Sequence, residues 1–311
     1  MRYIIFNKMY KLVIAGFIAV VASAQLQSHP VNGEIVNAVR TRTSQWEAFD
    51  VEQNPLRNYS LAQLRGMLGT NNEATTQAPL DLVEPVGVSS LPDNFDWREQ
   101  GNCVHPIRDQ QQCGSCWAFG ATEALSDRFC IASNGAVDVV LSPQDMVSCD
   151  WWDMGCNGGI LSFAWSYLSN TGVATDDCTP YTSGAGQVQS CPKTCADGSA
   201  IRKYKCAKSS TVNAKGVAAI QSEIYANGPV ETGFDVYEDF FSYKSGIYVY
   251  TAGAKAGGHA VKIIGWGQEN GVNYWICANS WGTGWGMDGF FNIEWGQCGI
   301  DSSTYACKPQ L

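Results

Sequence analysis

The stretch Gln110-Gln111-Gln112-Cys113-Gly114-Ser115-Cys116-Trp117-Ala118-Phe119 sets a cysteine directly ahead of a run with helical spacing. A thiol in the first turn of a helix feels the positive end of the macrodipole, which favours the thiolate, and the thiolate is the nucleophile. Gln110 lies upstream with a side-chain amide that can join the Cys116 backbone N–H in stabilising an oxyanion. A base is also required, and the chain has three histidines. His29 lies in a segment expected to be removed, and His105, between Val104 and Pro106, has no partner motif. His259 follows Gly257-Gly258 and opens the apolar run Ala260-Val261-Lys262-Ile263-Ile264, which makes it the candidate. Asn279-Ser280-Trp281-Gly282 then supplies an amide that can hold the imidazole in one tautomer and rotation, with Trp281 to shield that hydrogen bond from water. Two other chemistries use Cys-x-x-Cys. A redox pair needs a thioredoxin-like βαβ pattern, which is absent. A zinc site needs further Cys/His at that spacing, and Cys191–Cys195 is the nearest approach.

These residues need elements to hold them. Residues 116–132 set Ala118, Phe119, Ala121, Thr122, Leu125 and Phe129 at helical spacing, and a second short helix is expected over 158–169. From about residue 229 the apolar residues fall into strand-like runs, Val230–Phe234, Ile247–Tyr250, Ala260–Gly265, Tyr274–Ala278 and Phe290–Glu294, separated by Gly-rich turns. A helical half followed by a β half predicts two lobes with a groove between them. Upstream, helices are expected over 34–40 and over 61–67, the latter with Ser60 as N-cap. Residues 71–90 read as a linker.

Composition narrows the function. A formal charge of -9 with a sequence pI near 4.8 leaves no basic cluster for phosphates, so nucleic acid is not an expected partner. Arg2, Lys8 and Lys11, the apolar stretch Leu12–Val21 and Ala22-Ser23-Ala24 read as a cleaved signal peptide over 1–24, too short in its apolar core for a membrane anchor. The mature protein is therefore expected to be free of the membrane. All 13 cysteines lie beyond residue 102, which suits the secretory route, and their odd number leaves at least one free thiol.

Cys113-Gly114-Ser115-Cys116-Trp117, the Gly257-Gly258-His259 run and Asn279-Ser280-Trp281-Gly282, in that order, resemble the papain-type cysteine peptidases, closest to the cathepsin B branch. The resemblance implies an α+β, papain-like two-lobe fold, with an α-rich left lobe, a β-barrel-like right lobe and the active site in the cleft between. It implies an inhibitory propeptide and linker over 25–90 and a peptidase domain over 91–311. Trp46 and Leu64–Gly69 match the short propeptide, and Leu91-Pro92-Asp93 matches the start of the mature enzyme. Catalysis falls to Cys116, His259, Asn279 and Gln110. Gly158 and Gly159, in Cys156-Asn157-Gly158-Gly159, match the wall that binds substrate backbone; Trp281, Ser303 and Asp301 are further substrate-side residues. The implied disulfides are Cys103–Cys130, Cys113–Cys156, Cys149–Cys191, Cys178–Cys195 and Cys206–Cys307, leaving Cys277 as a buried, inert residue and Cys298 unpaired. Neither a metal nor an organic cofactor is implied. Expected partners are peptide or protein substrates, the chain's own propeptide and cystatin-type inhibitors, with the enzyme a monomer in a lysosome, a digestive vacuole or the extracellular space.

Three departures shape the expected specificity. The stretch between Cys178 and Cys195 lacks the insertion with paired histidines that grips a substrate's C-terminal carboxylate in the cathepsin B branch. Ser303 stands where that branch carries a glutamate at the floor of the specificity pocket, with Asp301 nearby. Gln111 replaces the usual glycine after the oxyanion glutamine. An endopeptidase with little dipeptidyl carboxypeptidase activity is expected. A replaced nucleophile or histidine would instead mark a non-catalytic binding protein, and both residues are present.

Overall fold

The computed structural model describes residues 29–71, 78, 80–84, 87, 88 and 90–311. The expected signal peptide lies outside the described residues. The helical run at Cys116 forms α3 (Cys116–Ala132), and every residue from Cys116 to Cys130 is buried. Charges on a helix buried on all sides must be paired. Asp127 accepts from Lys262 Nζ and from the His105 ring, while Arg128 donates to Glu223 at 2.9 Å and to the Pro229 carbonyl at 2.6 Å. Two shorter helices pack on α3: α4 (Pro143–Cys149) and α5 (Leu161–Asn170). The Ser142 side chain caps α4 by accepting from Asp145 N–H, and Pro143 opens it. Together these form the helical lobe.

The other lobe is a twisted sheet. Its strands run β1 (Trp46–Ala48), β5 (Tyr243–Tyr248), β8 (Phe290–Glu294), β7 (Val272–Ala278), β6 (Lys255–Glu269), β4 (Val230–Tyr237), β9 (Thr304–Ala306) and β3 (Val212–Ala214), with β2 (Phe95–Asp96) added to β6. The mixed helix-and-sheet architecture agrees with the expected two-lobe fold. Four of the five strand-like runs of the sequence fall within strands, the fifth, Ile247–Tyr250, runs two residues past the end of β5, and β6 extends well beyond Ala260–Gly265 in both directions. The helix expected over 158–169 begins three residues later, because Gly158 is held at φ 110 and cannot enter it. Two helices are absent from the sequence reading: α4, although Ser142-Pro143 is a start signal, and α6 (Val217–Asn227), bracketed by Gly216 and Gly228.

The N-terminal segment wraps the sheet lobe. Asn32 caps α1 (Gly33–Arg42), and β1 pairs antiparallel with β5. Trp46 is buried against Tyr243 and Tyr248 and donates its indole N–H to the Val249 carbonyl at 3.0 Å. Ser60 and Gln63 form a capping box on α2 (Leu61–Gly66), the N-cap expected from sequence. Leu64 and Met67 are fully buried, and the chain then enters the groove between the lobes. The segment is docked by apolar contacts and backbone pairing, and its ion pair with the sheet lobe, Glu47–Lys244 at 3.9 Å, is exposed. Exposed pairs contribute little, so loss of salt bridges is a weak source of acid-triggered release.

Buried carboxyls set the pH dependence of stability. Burial pushes Glu123 up to about 7 and Asp239 up to about 6. Each folded carboxyl holds its proton to higher pH than the unfolded chain does. Its contribution is fully present below the ordinary carboxylate value and is lost as pH rises through the folded value. His259, lowered to about 4 by burial, acts in the opposite sense below its ordinary value of 6.5. The thermal midpoint of the full chain is therefore expected to fall from about pH 5.5 to about pH 8. A calorimetric series with a flat or rising midpoint over that range would contradict this balance.

Candidate active site

Cys116 is the first residue of α3, so its sulfur lies at the end where helical N–H groups have no partner. Ser115, the N-cap, makes no capping bond; its hydroxyl meets Tyr181 Oη at 2.9 Å. Burial raises the Cys116 thiol, and the backbone at Ala260, Gly69 and Trp117 works against that rise. Since Ala260 follows His259 on β6, the sheet lobe delivers the imidazole to the same place. The antiparallel β6–β7 pairing sets Asn279, just past the end of β7, beside it, and His259 Nε2 lies 2.7 Å from Asn279 Oδ1. With Nε2–H donating there, Nδ1 is left buried and without a partner. Trp281 lies over the ring at a centroid distance of 4.8 Å.

Gln110 is fully buried, and its amide is fixed at both ends. Oε1 accepts from Ser280 Oγ at 2.7 Å, while Nε2 donates to the Cys113 carbonyl at 2.7 Å and to the Met67 carbonyl at 2.9 Å. The Tyr181 hydroxyl donates to the Gln110 carbonyl at 2.8 Å. Ser280 and Tyr181 were not singled out in the sequence. Ser280 sits inside the Asn-Ser-Trp-Gly motif, and Tyr181 follows Cys178 by three residues, but their roles need tertiary contacts to appear. Gln111, in place of glycine, keeps the loop in the left-handed region at φ 55, and its N–H is held by Asp109 Oδ1 at 2.8 Å. The substitution thus leaves the turn in place and is accommodated as local strain.

The groove is occupied by the chain's own residues 69–71. Gly159 N–H donates to the Gly69 carbonyl at 2.8 Å, and Asn71 N–H donates to the Gly159 carbonyl at 3.3 Å. From the opposite lobe, the Gly258 carbonyl accepts from Thr70 N–H at 3.1 Å. Thr70 therefore bridges Gly159 in parallel and Gly258 antiparallel. The disulfide Cys113–Cys156 and the Gly114 N–H to Cys156 carbonyl bond at 2.9 Å tie the nucleophile's loop to this glycine wall. The other four implied pairs are likewise bonded, and Cys116, Cys277 and Cys298 are free. Because Cys113 is bridged, Cys113 and Cys116 are not a redox pair.

Closure changes the electrostatics expected at Cys116. Burial pushes its thiol up to about 12, and the backbone N–H groups offset only part of this; burial also lowers His259 to about 4. The thiolate expected from the helix end is therefore not the resting state of the closed chain. The macrodipole contributes about 1 kcal/mol, less than the desolvation of a buried thiolate.

Beside Thr70 and Asn71 a cavity of about 70 Å³ is lined by Ile160, Leu161, Ser162, Gly233, Ser302, Ser303 and Tyr305. Ser303 Oγ donates to Asn213 Oδ1 at 3.0 Å. Asp301 does not line the cavity. Its carboxylate turns away to accept from Gly296 N–H at 2.9 Å, so the expected substrate-side role is corrected. His105 is likewise remote from the groove, held between Asp127 and Asp138.

A family profile described as "Papain family cysteine protease" matches residues 91–307. The chain is 38% identical over 337 aligned positions to "Cathepsin B-like cysteine proteinase 4" of Caenorhabditis elegans, covering 96% of this chain and 99% of that protein. It is 46% identical over 253 positions to the "Gut-specific cysteine proteinase" of the same organism, covering 73% and 77%. Among solved structures it is similar to "proCathepsin B S9 from Trypanosoma congolense", with a TM-score of 0.81, 30% identity, and coverage of 91% of this chain and all of that one.

Proposed function

We propose that this chain, which belongs to the papain family of cysteine proteases, is the inactive precursor of a cathepsin B-like endopeptidase. The observation that carries the reading is the pairing of His259 Nε2 with Asn279 at 2.7 Å, which leaves Nδ1 unpartnered in the same cleft as Cys116. Residues 25–90 act as the inhibitory propeptide and 91–311 as the enzyme. Withdrawal of residues 69–71 lets water into the groove and removes the burial that keeps thiol and imidazole neutral. The proton then passes from Cys116 to His259 Nδ1.

The reaction is two-step acyl transfer. The Cys116 thiolate attacks the peptide carbonyl carbon, and the oxyanion is met by the Cys116 N–H and by the Gln110 Nε2 hydrogen that the Met67 carbonyl vacates when the N-terminal segment leaves, with Ser280 holding the amide in place. His259 Nδ1–H protonates the leaving amine as the C–N bond breaks, leaving a thioester on Cys116. Neutral His259 then takes a proton from water, and attack of that water on the thioester carbon frees the acid and restores the thiolate. Asn279 keeps the ring facing the sulfur throughout. Gly158 and Gly159 bind the substrate backbone. The disulfides and the leader-like start favour a secreted or lysosomal enzyme.

Specificity follows from the cavity beside the wall. Its lining offers no carboxylate, since Asp301 is engaged elsewhere and Ser303 occupies the floor. A guanidinium there loses water without gaining a charge partner. With no histidine between Cys178 and Cys195, the far end of the cleft lacks the paired imidazoles that would grip a substrate's C-terminal carboxylate. Activated enzyme is expected to cleave a fluorogenic dipeptide with leucine second from the scissile bond at least about tenfold faster, in kcat/KM, than its arginine twin. Equal or faster turnover of the arginine substrate would sink the pocket assignment, and stepwise dipeptide release from an N-blocked peptide would sink the open-cleft assignment.

A further inference from the structure

One layer beneath the cavity beside the glycine wall, the two lobes are joined by a bond that the reaction above does not use. The cavity is a seam: Ile160, Leu161 and Ser162 line it from the helical lobe, and Gly233, Ser302, Ser303 and Tyr305 from the sheet lobe. Trp165 lies four residues past Leu161 on α5, hence on the same helix face. Glu231 lies two residues before Gly233 on β4, hence on the same strand face. Both side chains are fully buried, and Trp165 Nε1–H donates to Glu231 Oε2 at 2.7 Å. The other oxygen, Oε1, is buried without a partner and abuts α3, where a methyl group built on Gly120 would lie 2.7 Å from it. The carboxyl is thus wedged between α3, α5 and β4. Other ties across the seam lie elsewhere or are temporary. Ser162 Oγ accepts from Ala78 N–H at 3.0 Å, a bond lost when the N-terminal segment departs. Ser169 Oγ meets Thr211 Oγ1 at 3.0 Å, at the far end of α5. The sheet side is held independently, since Thr232 Oγ1 donates to the Ile300 carbonyl at 2.5 Å, with the Ser303 carbonyl 3.3 Å away.

We propose that the Trp165–Glu231 bond sets the width of this cavity, and so the size of side chain that a substrate can place second from the scissile bond. The inference rests on the reading of the cavity as the specificity pocket. One turn of helix and two residues of strand each advance about 6 to 7 Å, so the bond and the cavity are successive layers of one seam. Apolar contacts between the lobes have no preferred direction and tolerate sliding. A buried hydrogen bond has a preferred length and leaves a costly orphan when it breaks. With Trp165 held to Glu231, the first turn of α5 cannot draw away from β4, and Leu161 and Ser162 stay at a fixed distance from Gly233. Without the bond, the helical wall is free to retreat and the pocket widens. Burial raises the Glu231 carboxyl well above the ordinary carboxylate range, so an amide in its place keeps the acceptor with little change of charge. Trp165 and Glu231 touch no reacting atom; they are positioning residues.

The test uses the full chain activated by limited cleavage near residue 90. Two N-blocked fluorogenic dipeptides, with valine or phenylalanine second from the scissile bond, are compared in steady-state kinetics. Alkylation of Cys116 by iodoacetamide, which is too small to need the cavity, is followed alongside. Trp165→Phe removes the donor, and Glu231→Met removes the acceptor while nearly keeping its volume. In each, the phenylalanine-to-valine ratio of kcat/KM is expected to rise about tenfold over wild type, mostly through KM, with the alkylation rate as in wild type. Glu231→Gln, which still accepts from Trp165, is expected to keep the wild-type ratio. If one of the two bond-breaking variants fails to fold, the other decides alone. A lowered thermal midpoint with an unchanged ratio would show that the bond serves only the fold, and would overturn the proposal. So would a Glu231→Gln ratio shifted as far as that of Glu231→Met, or an alkylation rate that moves with the ratio, because the pair would then be acting on the nucleophile through α3. An activated wild type that alkylates at Cys116 but hydrolyses neither peptide would instead overturn the peptidase reading, and one that does not discriminate between the peptides would overturn the reading of the cavity as the pocket.

Discussion

Cys116→Ala is expected to lower peptide hydrolysis by a factor on the order of 10^5 to 10^6, with the fold and the docked N-terminal segment intact. The sulfur is buried and small, and Gly69, Trp117 and Ala260 keep their backbone positions without it. His259→Ala should be nearly as damaging, since it removes both the thiolate's counter-ion and the proton carrier. Asn279→Ala should cost less, about 10^2, because a freed imidazole still samples the productive rotation. Initial rates on one fluorogenic peptide, with circular dichroism to verify folding, rank the three. A series in which Asn279 matters more than His259, or in which Cys116→Ala retains more than a trace of activity, would contradict these roles.

The second large effect is expected at Gly69. A methyl group there would lie 2.0 Å from the Gly114 carbonyl oxygen and 2.4 Å from its carbon. Both are backbone atoms of a loop locked by Cys113–Cys156, so neither side can yield. Gly69→Ala should therefore lift residues 69–71 from the groove and raise the activity of uncleaved precursor by about 10^2 or more, the yield of even a few kcal/mol of lost docking. Gly66 supplies the control: a methyl group there meets nothing within 4 Å, and alanine also suits the end of α2. Turnover of the uncleaved chain, with cleavage blocked by mutating the segment near residue 90, separates the two. Equal turnover in wild type, Gly66→Ala and Gly69→Ala would show that the fit at Gly69 does not keep the groove closed.

How far the sequence could be read follows from which interactions are local. Cys116 and Gln110 lie in one short motif, and helical spacing after Cys116 already placed the sulfur at a helix end. His259 was reached by elimination among three histidines and by its place at the head of an apolar strand, both sequence-level facts. Ser280 and Tyr181 carry no such signal. Each is an ordinary polar residue whose partner, Gln110, is brought by another part of the chain. Orientation was equally out of reach. Asp301 and Ser303 are neighbours on one turn, yet only Ser303 faces the cavity, because Asp301 is taken by Gly296 N–H. The protonation of Cys116 was misjudged for a related reason. The helix end is visible in the sequence, whereas the burial that outweighs it comes from residues 69–71 crossing the groove.

The proposed enzyme has a nucleophilic Cys116 that residues 69–71 keep closed. Its most direct test is covalent labelling by a peptidyl epoxide selective for activated thiols, applied in parallel to the intact chain and to chain cleaved near residue 90, with the modified residue located by peptide mapping. The expected result is one label per cleaved molecule, on Cys116, lost in His259→Ala, with the intact chain unlabelled. Label on Cys277 or Cys298, or equal labelling of Cys116 in the intact chain, would contradict it.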